Sequence, residues 1–443
     1  MEIPGNIRSF LQEMEQAGFA AYLVGGCVRD MQMGKAPHDW DVTTSARPQQ
    51  VLSRFSGYAI PTGLQHGTVT VLWQEAAIEV TTFRRETAYR DHRHPDAVTF
   101  ADTLREDLSR RDFTVNAMAM DGRGVITDPF GGAEDLRRGL LRCVGEPRER
   151  FREDALRIMR CLRFAAVLGF SIEEKTALAL RQQKEDLRYI SPERLRDELC
   201  KLLCGDNAAD ILLTYPDVLG VFLPDILPSV GFDQRNFHHV YNVWEHTVRT
   251  VAAAPKDVAV RLTMLLHDLG KPAAFTVDEK GVGHFYGHAR LSGEIARRVC
   301  RDLRLDNDTA QRVITLVEWH DREVQCTPAA VRRALHRLGE QALRDLAQVK
   351  RADNLAQAPA YRSRLSQIDG VMALMESLLA QDACFSLRQL AVNGRNMMDL
   401  GLRGPDIGAM LRYLLEQVLD GAAPNEHAVL LALAEKKLSA EEG

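Results

Sequence analysis

The sequence predicts an α+β protein, with a head of mixed sheet and helices followed by an all-α body. Apolar and polar residues alternate over residues 67–73 and 77–83, the period of half-buried strands. After about residue 150 that pattern fades, and apolar residues recur at helical spacing over 157–168, 192–203 and 258–266.

The elements follow in order. Ile7, Phe10, Leu11 and Met14 stand at i, i+3, i+4 and i+7, predicting an amphipathic helix over 6–18 that ends at Gly18. An apolar run over 20–24 stops at Gly25-Gly26, and a helix carrying Arg29 follows. Asp39-Trp40-Asp41-Val42 reads as a strand, and a helix over 48–55 separates it from the two alternating segments. Glycine and proline punctuate the chain near Gly139, over 220–231 with Pro224 and Pro228, and near Pro359. These breaks divide it into 1–139, 140–230, 231–358 and 359–443. Helices are also expected over 363–379 and 405–419.

At 443 residues and 45% hydrophobic content, the chain can bury several cores. It holds no run of about 18 consecutive apolar residues, and the N-terminus lacks a basic region leading into an apolar one. No membrane partner is therefore expected. The eight cysteines form no CxxC pair, and Cys200 and Cys204 stand at helical spacing as small apolar residues. That argues against disulfides and structural zinc and points to the cytoplasm. A net charge of −5 means that any nucleic-acid contact must be local. Arg142, Arg148, Arg150, Arg152, Arg157 and Arg160 supply the richest basic stretch, although on its own such a stretch is more often a solvated helix face.

The chemistry concentrates in the head. Strand, Gly25-Gly26 and helix form an arrangement in which bare backbone N–H groups can meet an anion, although a tight turn needs the same glycines. Asp39 and Asp41 alternate, so a strand puts both carboxylates on one face, where they can share divalent ions for phosphoryl transfer. Two solvated acids at a strand end are the plainer alternative. Glu79, in an apolar run, is a third candidate carboxylate.

The wording of several segments now matters together: Leu23-Val24-Gly25-Gly26-Cys27-Val28-Arg29-Asp30, then Asp39-Trp40-Asp41, then Arg110-Arg111-Asp112-Phe113-Thr114-Val115-Asn116-Ala117-Met118-Ala119. Asp128-Pro129-Phe130-Gly131-Gly132 and Glu153-Asp154-Ala155-Leu156-Arg157 follow. In this order and spacing they resemble the polymerase-β nucleotidyltransferase superfamily, in its class II tRNA nucleotidyltransferase and poly(A) polymerase branch. The resemblance implies a polymerase-β-type head in which Asp39 and Asp41 are the catalytic Mg²⁺ ligands. It gives Gly25, Gly26 and Arg29 the triphosphate, and Arg111, Asp112 and Asn116 the sugar and phosphates.

Asp154 and Arg157 lie three apart, so one helix would present them as neighbours. Cytosine and adenine each offer an amino donor beside a ring-nitrogen acceptor, whereas uracil and guanine place a carbonyl beside an N–H. A carboxylate with a guanidinium suits only the first two, and leaves unpaired polar groups against the others. The resemblance implies this use of Asp154 and Arg157 as an amino-acid template, with Glu153 orienting Arg157. Arg160 and Arg163 extend the face toward phosphates. The partners implied are tRNA, CTP and ATP.

Residues 82–95 are charged and poor in core side chains, which suits a mobile loop. Their wording is similar to the flexible loop of CCA-adding members, apart from His94 where arginine is common. CCA addition is thus expected, with A-only or poly(A) addition as the alternative. A silent RNA-binding head, or a main activity in the body, is the alternative from another class.

In the body, His267-Asp268 ends an apolar run, with His246 upstream and Asp353 downstream. The set resembles the metal site of the HD phosphohydrolase superfamily, which His288 and His320 extend in some members. Such ligands suit Mn, Ni or Fe, and a bound metal could activate water against a phosphoester. A metal-free domain whose histidines only pack remains the alternative, and His238, His239 and His246 also fit a partly structural role. Residues 390–396 resemble the C-terminal region of HD-bearing tRNA nucleotidyltransferases, with Asn396 where aspartate is frequent. The tail from 359 is assigned to cradling tRNA.

Overall fold

The computed structural model describes residues 2–441 apart from 90–94, 236–239, 358–363 and 382. The chain divides into two compact units, Met1–Pro224 and Asp225–Gly443.

The first unit is built on a seven-stranded mixed sheet. Its strands are β1 (Ala21–Val24), β2 (Trp40–Thr44), β3 (Ala59–Gly63), β4 (Thr68–Trp73) and β5 (Ala76–Thr82), with β8 (Ala119–Met120) and β9 (Ile126–Thr127), in the order β3-β4-β5-β2-β1-β8-β9. β2 and β5 run parallel, with Asp41 opposite Glu79, and the other pairs are antiparallel. Helix α1 (Gly5–Gln16) buries the predicted Ile7, Phe10, Leu11 and Met14. Phe10 meets Phe55 at 5.0 Å and Trp73 at 6.0 Å, and Leu23, Val42, Ile78 and Val80 come from the sheet. Each such side chain contributes roughly 1.5–3 kcal/mol of burial energy, which fixes the strand register that positions Asp41.

Helices α2 (Gly26–Gln32) and α3 (Pro48–Arg54) follow β1 and β2, and α4 (Leu104–Ser109) and α5 (Gly132–Arg138) complete the head. Gly139 ends α5 in a left-handed conformation, φ 61°, which suits glycine. The connector read as a loop differs: β6 (Arg84–Tyr89) and β7 (Pro95–Phe100) pair antiparallel, with Arg84 opposite Phe100 and Arg85 opposite Thr99. Thr87, Tyr89, Val98, Thr99 and Phe100 are strand formers, a preference that outweighs the charge of the segment. His94 lies outside the described residues.

Six further α-helices follow in this unit: α6 (Pro147–Glu153), α7 (Leu156–Leu168), α8 (Glu174–Gln182), α9 (Pro192–Leu203), α10 (Ala208–Thr214) and α11 (Pro216–Leu219). Cys200 and Cys204 are half-buried at the end of α9, and all eight cysteines are free.

The second unit is helical, apart from the short pair Thr276–Val277 with Gly283–His284. Its long helices include Val243–Ala253, Val258–Leu266, His288–Asp302, Asn307–Trp319 and Glu340–Ala356. The expected later helices are Arg364–Ala380 and Pro405–Asp420. Asn393 caps helix Gly394–Asp399, and Asn396 returns a side-chain oxygen to the Asn393 N–H, so this asparagine closes a capping box. Among the described residues no helix is long and apolar enough to cross a membrane.

Candidate active site

Asp39, Asp41 and Glu79 line one cavity of about 720 Å³ in the first unit, together with Gly25, Gly26, Arg29, Arg111, Asp112, Asn116, Asp154, Arg157, Arg160 and Arg163. Asp39 stands one residue before β2 rather than within it. Asp41 projects from β2, and burial raises its pKa, with Glu79 and Asp39 adding repulsion and Arg111 opposing them. A buried carboxylate beside two further acids suits a divalent cation, whose charge would offset the repulsion.

Gly25 closes this wall. Its φ is 75°, and a Cβ there would lie 2.9 Å from Arg111 Nη1 and 3.5 Å from Asp41 Oδ2. Glycine is thus required both for conformation and for the approach of the backbone to two functional side chains.

The facing wall is basic and held by one polar chain. Arg29 Nη1 donates to Asn116 Oδ1 at 2.8 Å, Asn116 Nδ2 donates to Asp112 Oδ1 at 3.1 Å, and Arg160 Nε donates to Asp112 Oδ2 at 2.8 Å. Burial works to raise the Asp112 carboxyl, but Arg160 and the Asn116 amide outweigh it and hold it down at about 2. Asp112 therefore acts as an anchor for cations and stays charged. Arg163 pairs with Glu198 at 2.6 Å, and Arg111 lies 3.7 Å from the buried Asp107.

Asp154 and Arg157 are not neighbours on one helix. α6 ends at Glu153, Asp154 is extended with φ −141° and ψ 106°, and α7 begins at Leu156. The Asp154 side chain explains the break: its Oδ1 accepts from Leu156 N at 3.0 Å, a local bond that competes with continuing the helix. Its Oδ2 accepts from Arg194 Nη2 at 2.8 Å. Arg157 donates to Glu153 Oε2 at 2.6 Å and to the carbonyls of Arg150 and Arg110 at 3.2 and 2.9 Å. Both members of the pair are thus immobilised by neighbours. Arg194, on α9, was missed by the sequence reading because forty residues separate it from Asp154.

A second cluster lies in the second unit. His246 Nε2 is 2.9 Å from Asp353 Oδ1 and 3.6 Å from Asp268 Oδ2, and His267 Nε2 is 3.3 Å from Asp268 Oδ2. His288 and His320 approach Asp268 Oδ1 at 3.4 and 3.7 Å. The Nδ1 atoms of His267, His288 and His320 each face a backbone carbonyl, at 2.8, 2.9 and 2.6 Å. Donation there leaves Nε2 as the lone-pair atom, and the two Nε2 atoms of His288 and His320 then face each other at 3.1 Å. Such a pair needs a proton or a metal ion between it. Lys271 Nζ reaches Asp268 Oδ2 at 2.7 Å and Gln234 at 3.0 Å. His238 and His239 lie outside the described residues.

Residues 21–142 match the poly(A) polymerase head domain, and 169–227 match the RNA- and SrmB-binding site of polymerase A. Residues 276–434 match tRNA nucleotidyltransferase domain 2. The CCA-adding enzyme of Lactobacillus delbrueckii subsp. bulgaricus is 33% identical over 95% of this chain and 94% of its own. That of Levilactobacillus brevis is 34% identical over 96% of each. An alignment with the CCA-adding enzyme of Lactobacillus helveticus reaches 49% identity, spanning 48% of this chain and 54% of that one. The crystal structure of Bacillus stearothermophilus CCA-adding enzyme in complex with CTP is 31% identical, with a TM-score of 0.77 over 99% of this chain and 98% of that one. Head, RNA-binding segment and full-length likeness agree, and the chain belongs to the CCA-adding enzyme family of class II tRNA nucleotidyltransferases.

Proposed function

We propose that the chain adds C, C and A to the 3′ end of tRNA, using CTP and ATP without a nucleic-acid template. The observation that carries this reading is the fixed Asp154–Arg157 pair beside a carboxylate wall and a basic wall in one cavity. The naming of its full-length relatives and the CTP in the Bacillus structure support it.

Asp39 and Asp41 would hold Mg²⁺, which when bound would acidify the attacking 3′-hydroxyl and offset the charge of the leaving pyrophosphate. Arg29, Arg111, Arg160 and Arg163 bind the triphosphate, and Asp112 and Asn116 keep that wall in place. Asp154 accepts from the base amino group while Arg157 donates to the ring nitrogen. A carboxylate oxygen carries two lone pairs, so Asp154 can hold Arg194 and the base together. Uracil and guanine meet unpaired groups and are rejected. The free cysteines suit a cytoplasmic place.

A second reading is favoured by the facing Nε2 atoms of His288 and His320. It makes the cluster around His246, His267, Asp268 and Asp353 an HD-type site for Mn, Ni or Fe, able to support phosphoester hydrolysis. Asp41→Ala and His267→Ala separate the two. The first is expected to abolish nucleotide addition and leave any phosphodiesterase activity, and the second to do the opposite. Nucleotide addition that survives Asp41→Ala and is lost with His267→Ala would overturn the assignment.

A further inference from the structure

Phe164 belongs to none of the motifs above, yet it lies at the centre of the basic wall. Its ring is 6% exposed, borders the cavity and meets Phe113 edge-on at 5.9 Å. The guanidinium carbons of Arg163, Arg29 and Arg160 stand 3.9, 5.3 and 5.4 Å from its centroid.

These cations come from two elements, α2 and α7, and each has a different outer partner. Arg29 pairs with Asp30 at 2.7 Å, Arg160 with Asp112 at 2.6 Å and Arg163 with Glu198 at 2.6 Å. The Asn116–Asp112 chain links Arg29 to Arg160, but Arg163 is held by Glu198 outside that chain, and the three like charges repel one another. The negative face of the ring is the surface they share, and it attracts cations without neutralising them. An aliphatic side chain of similar size would fill the space and supply no such attraction.

We propose that Phe164 is a positioning residue for the nucleotide triphosphate, holding Arg29, Arg160 and Arg163 converged on one anion. The inference rests on the nucleotidyltransferase reading and extends it to a side chain that cannot itself bind phosphate. A cluster ordered in advance loses less freedom when the anion arrives. Because CTP and ATP share the triphosphate, the effect is the same for both, and base choice at Asp154–Arg157 is untouched.

The test uses the full chain with Phe164→Leu and Phe164→Tyr. Calorimetry reads the binding of Mg²⁺-pyrophosphate, and steady-state addition reads KM for CTP on transcripts ending in C and for ATP on transcripts ending in CC. Phe164→Leu is expected to weaken pyrophosphate about tenfold and raise both KM values by the same factor, while the preference for CTP over UTP holds. Phe164→Tyr, which keeps the ring, should stay within about twofold of the parent. Unchanged pyrophosphate binding with only a lower melting temperature would overturn the proposal, as would loss of base choice with pyrophosphate unaffected. If Phe164→Leu does not fold, Phe164→Met carries the same comparison. Failure of the parent chain to extend any transcript would count against the enzyme reading, whereas pyrophosphate binding tests Phe164 without turnover.

Discussion

Asp154 and Arg194 stand forty positions apart in sequence and 2.8 Å apart in the fold. The ion pair fixes one oxygen of the Asp154 carboxylate, to which we assign base reading, and the Leu156 N–H fixes the other. Arg194→Met leaves Asp154 held by the Leu156 contact alone, so the preference for CTP over UTP is expected to fall about tenfold, or ~1.4 kcal/mol. Competing the two nucleotides on a transcript ending at the discriminator base measures it. Unchanged selectivity would mean that the Leu156 contact alone positions the carboxylate.

Gly25→Ala should be costly for two separate reasons. It forces a Cβ onto a backbone at φ 75°, and that Cβ would lie 2.9 Å from Arg111 Nη1. With ψ −133° this backbone lies outside the left-handed helical region, in a positive-φ region that strains any other residue, and the conformation alone costs about 1–3 kcal/mol, readable in urea unfolding. Displacement of Arg111 should lower nucleotide addition at least tenfold. A variant with full activity would show that the approach of this backbone to Arg111 and Asp41 has no catalytic role.

Asp41 carries a raised pKa, caused first by burial and then by Glu79. The ionised form is therefore penalised in the fold. That penalty is absent below the carboxylate's ordinary range and grows as pH rises through the folded value. At pH 7.5 in chelator, Asp41→Asn should melt above the parent chain, and Mg²⁺ should raise the melting temperature of the parent more than that of the variant. Equal Mg²⁺ shifts would remove Asp41 from the cation site.

Asp112 has the opposite sign, with a folded value of about 2 against an ordinary 3.8. Its contribution is fully present above pH 4 and is lost as pH falls from about 4 toward 2, which corresponds to roughly 2 kcal/mol. Asp112→Asn should remove that segment of the pH dependence of unfolding and loosen Arg160. A parallel acid limb in the two proteins would contradict the anchoring role.

For the second cluster, we expect the parent chain to retain about one equivalent of Mn²⁺ or Ni²⁺ through dialysis. Both His288→Ala and Asp268→Ala should lose it, and chelation should lower the melting temperature. Metal content measured by mass spectrometry decides this, and a metal-free parent after reconstitution would leave only a hydrogen-bonded histidine cluster.

What the sequence made legible was local. Ile7, Phe10, Leu11 and Met14 share a helix face because spacing alone puts them there, and all four are buried. Gly25 and Asp41 belong to segments whose chemistry is written within a few residues. The break at Asp154 was hidden because the residues on either side are helical, and one side-chain bond to Leu156 N decides the outcome. Arg194 and Phe164 were hidden for a different reason. Their roles arise from packing among helices α2, α7 and α9, which no short-range pattern encodes. The strands β6 and β7 were masked by charge, although their alternate β-branched and aromatic residues held the signal.

Product length is the readout that decides whether the chain synthesises CCA without a template. The purified chain is incubated with Mg²⁺ and tRNA transcripts ending at the discriminator base, at C and at CC, with CTP and ATP supplied separately and together. All three transcripts are expected to end as CCA, with CTP alone extending only the first two and ATP alone only the third. Extension of the CC-ended transcript alone, or unlimited addition of A to any RNA, would contradict that expectation.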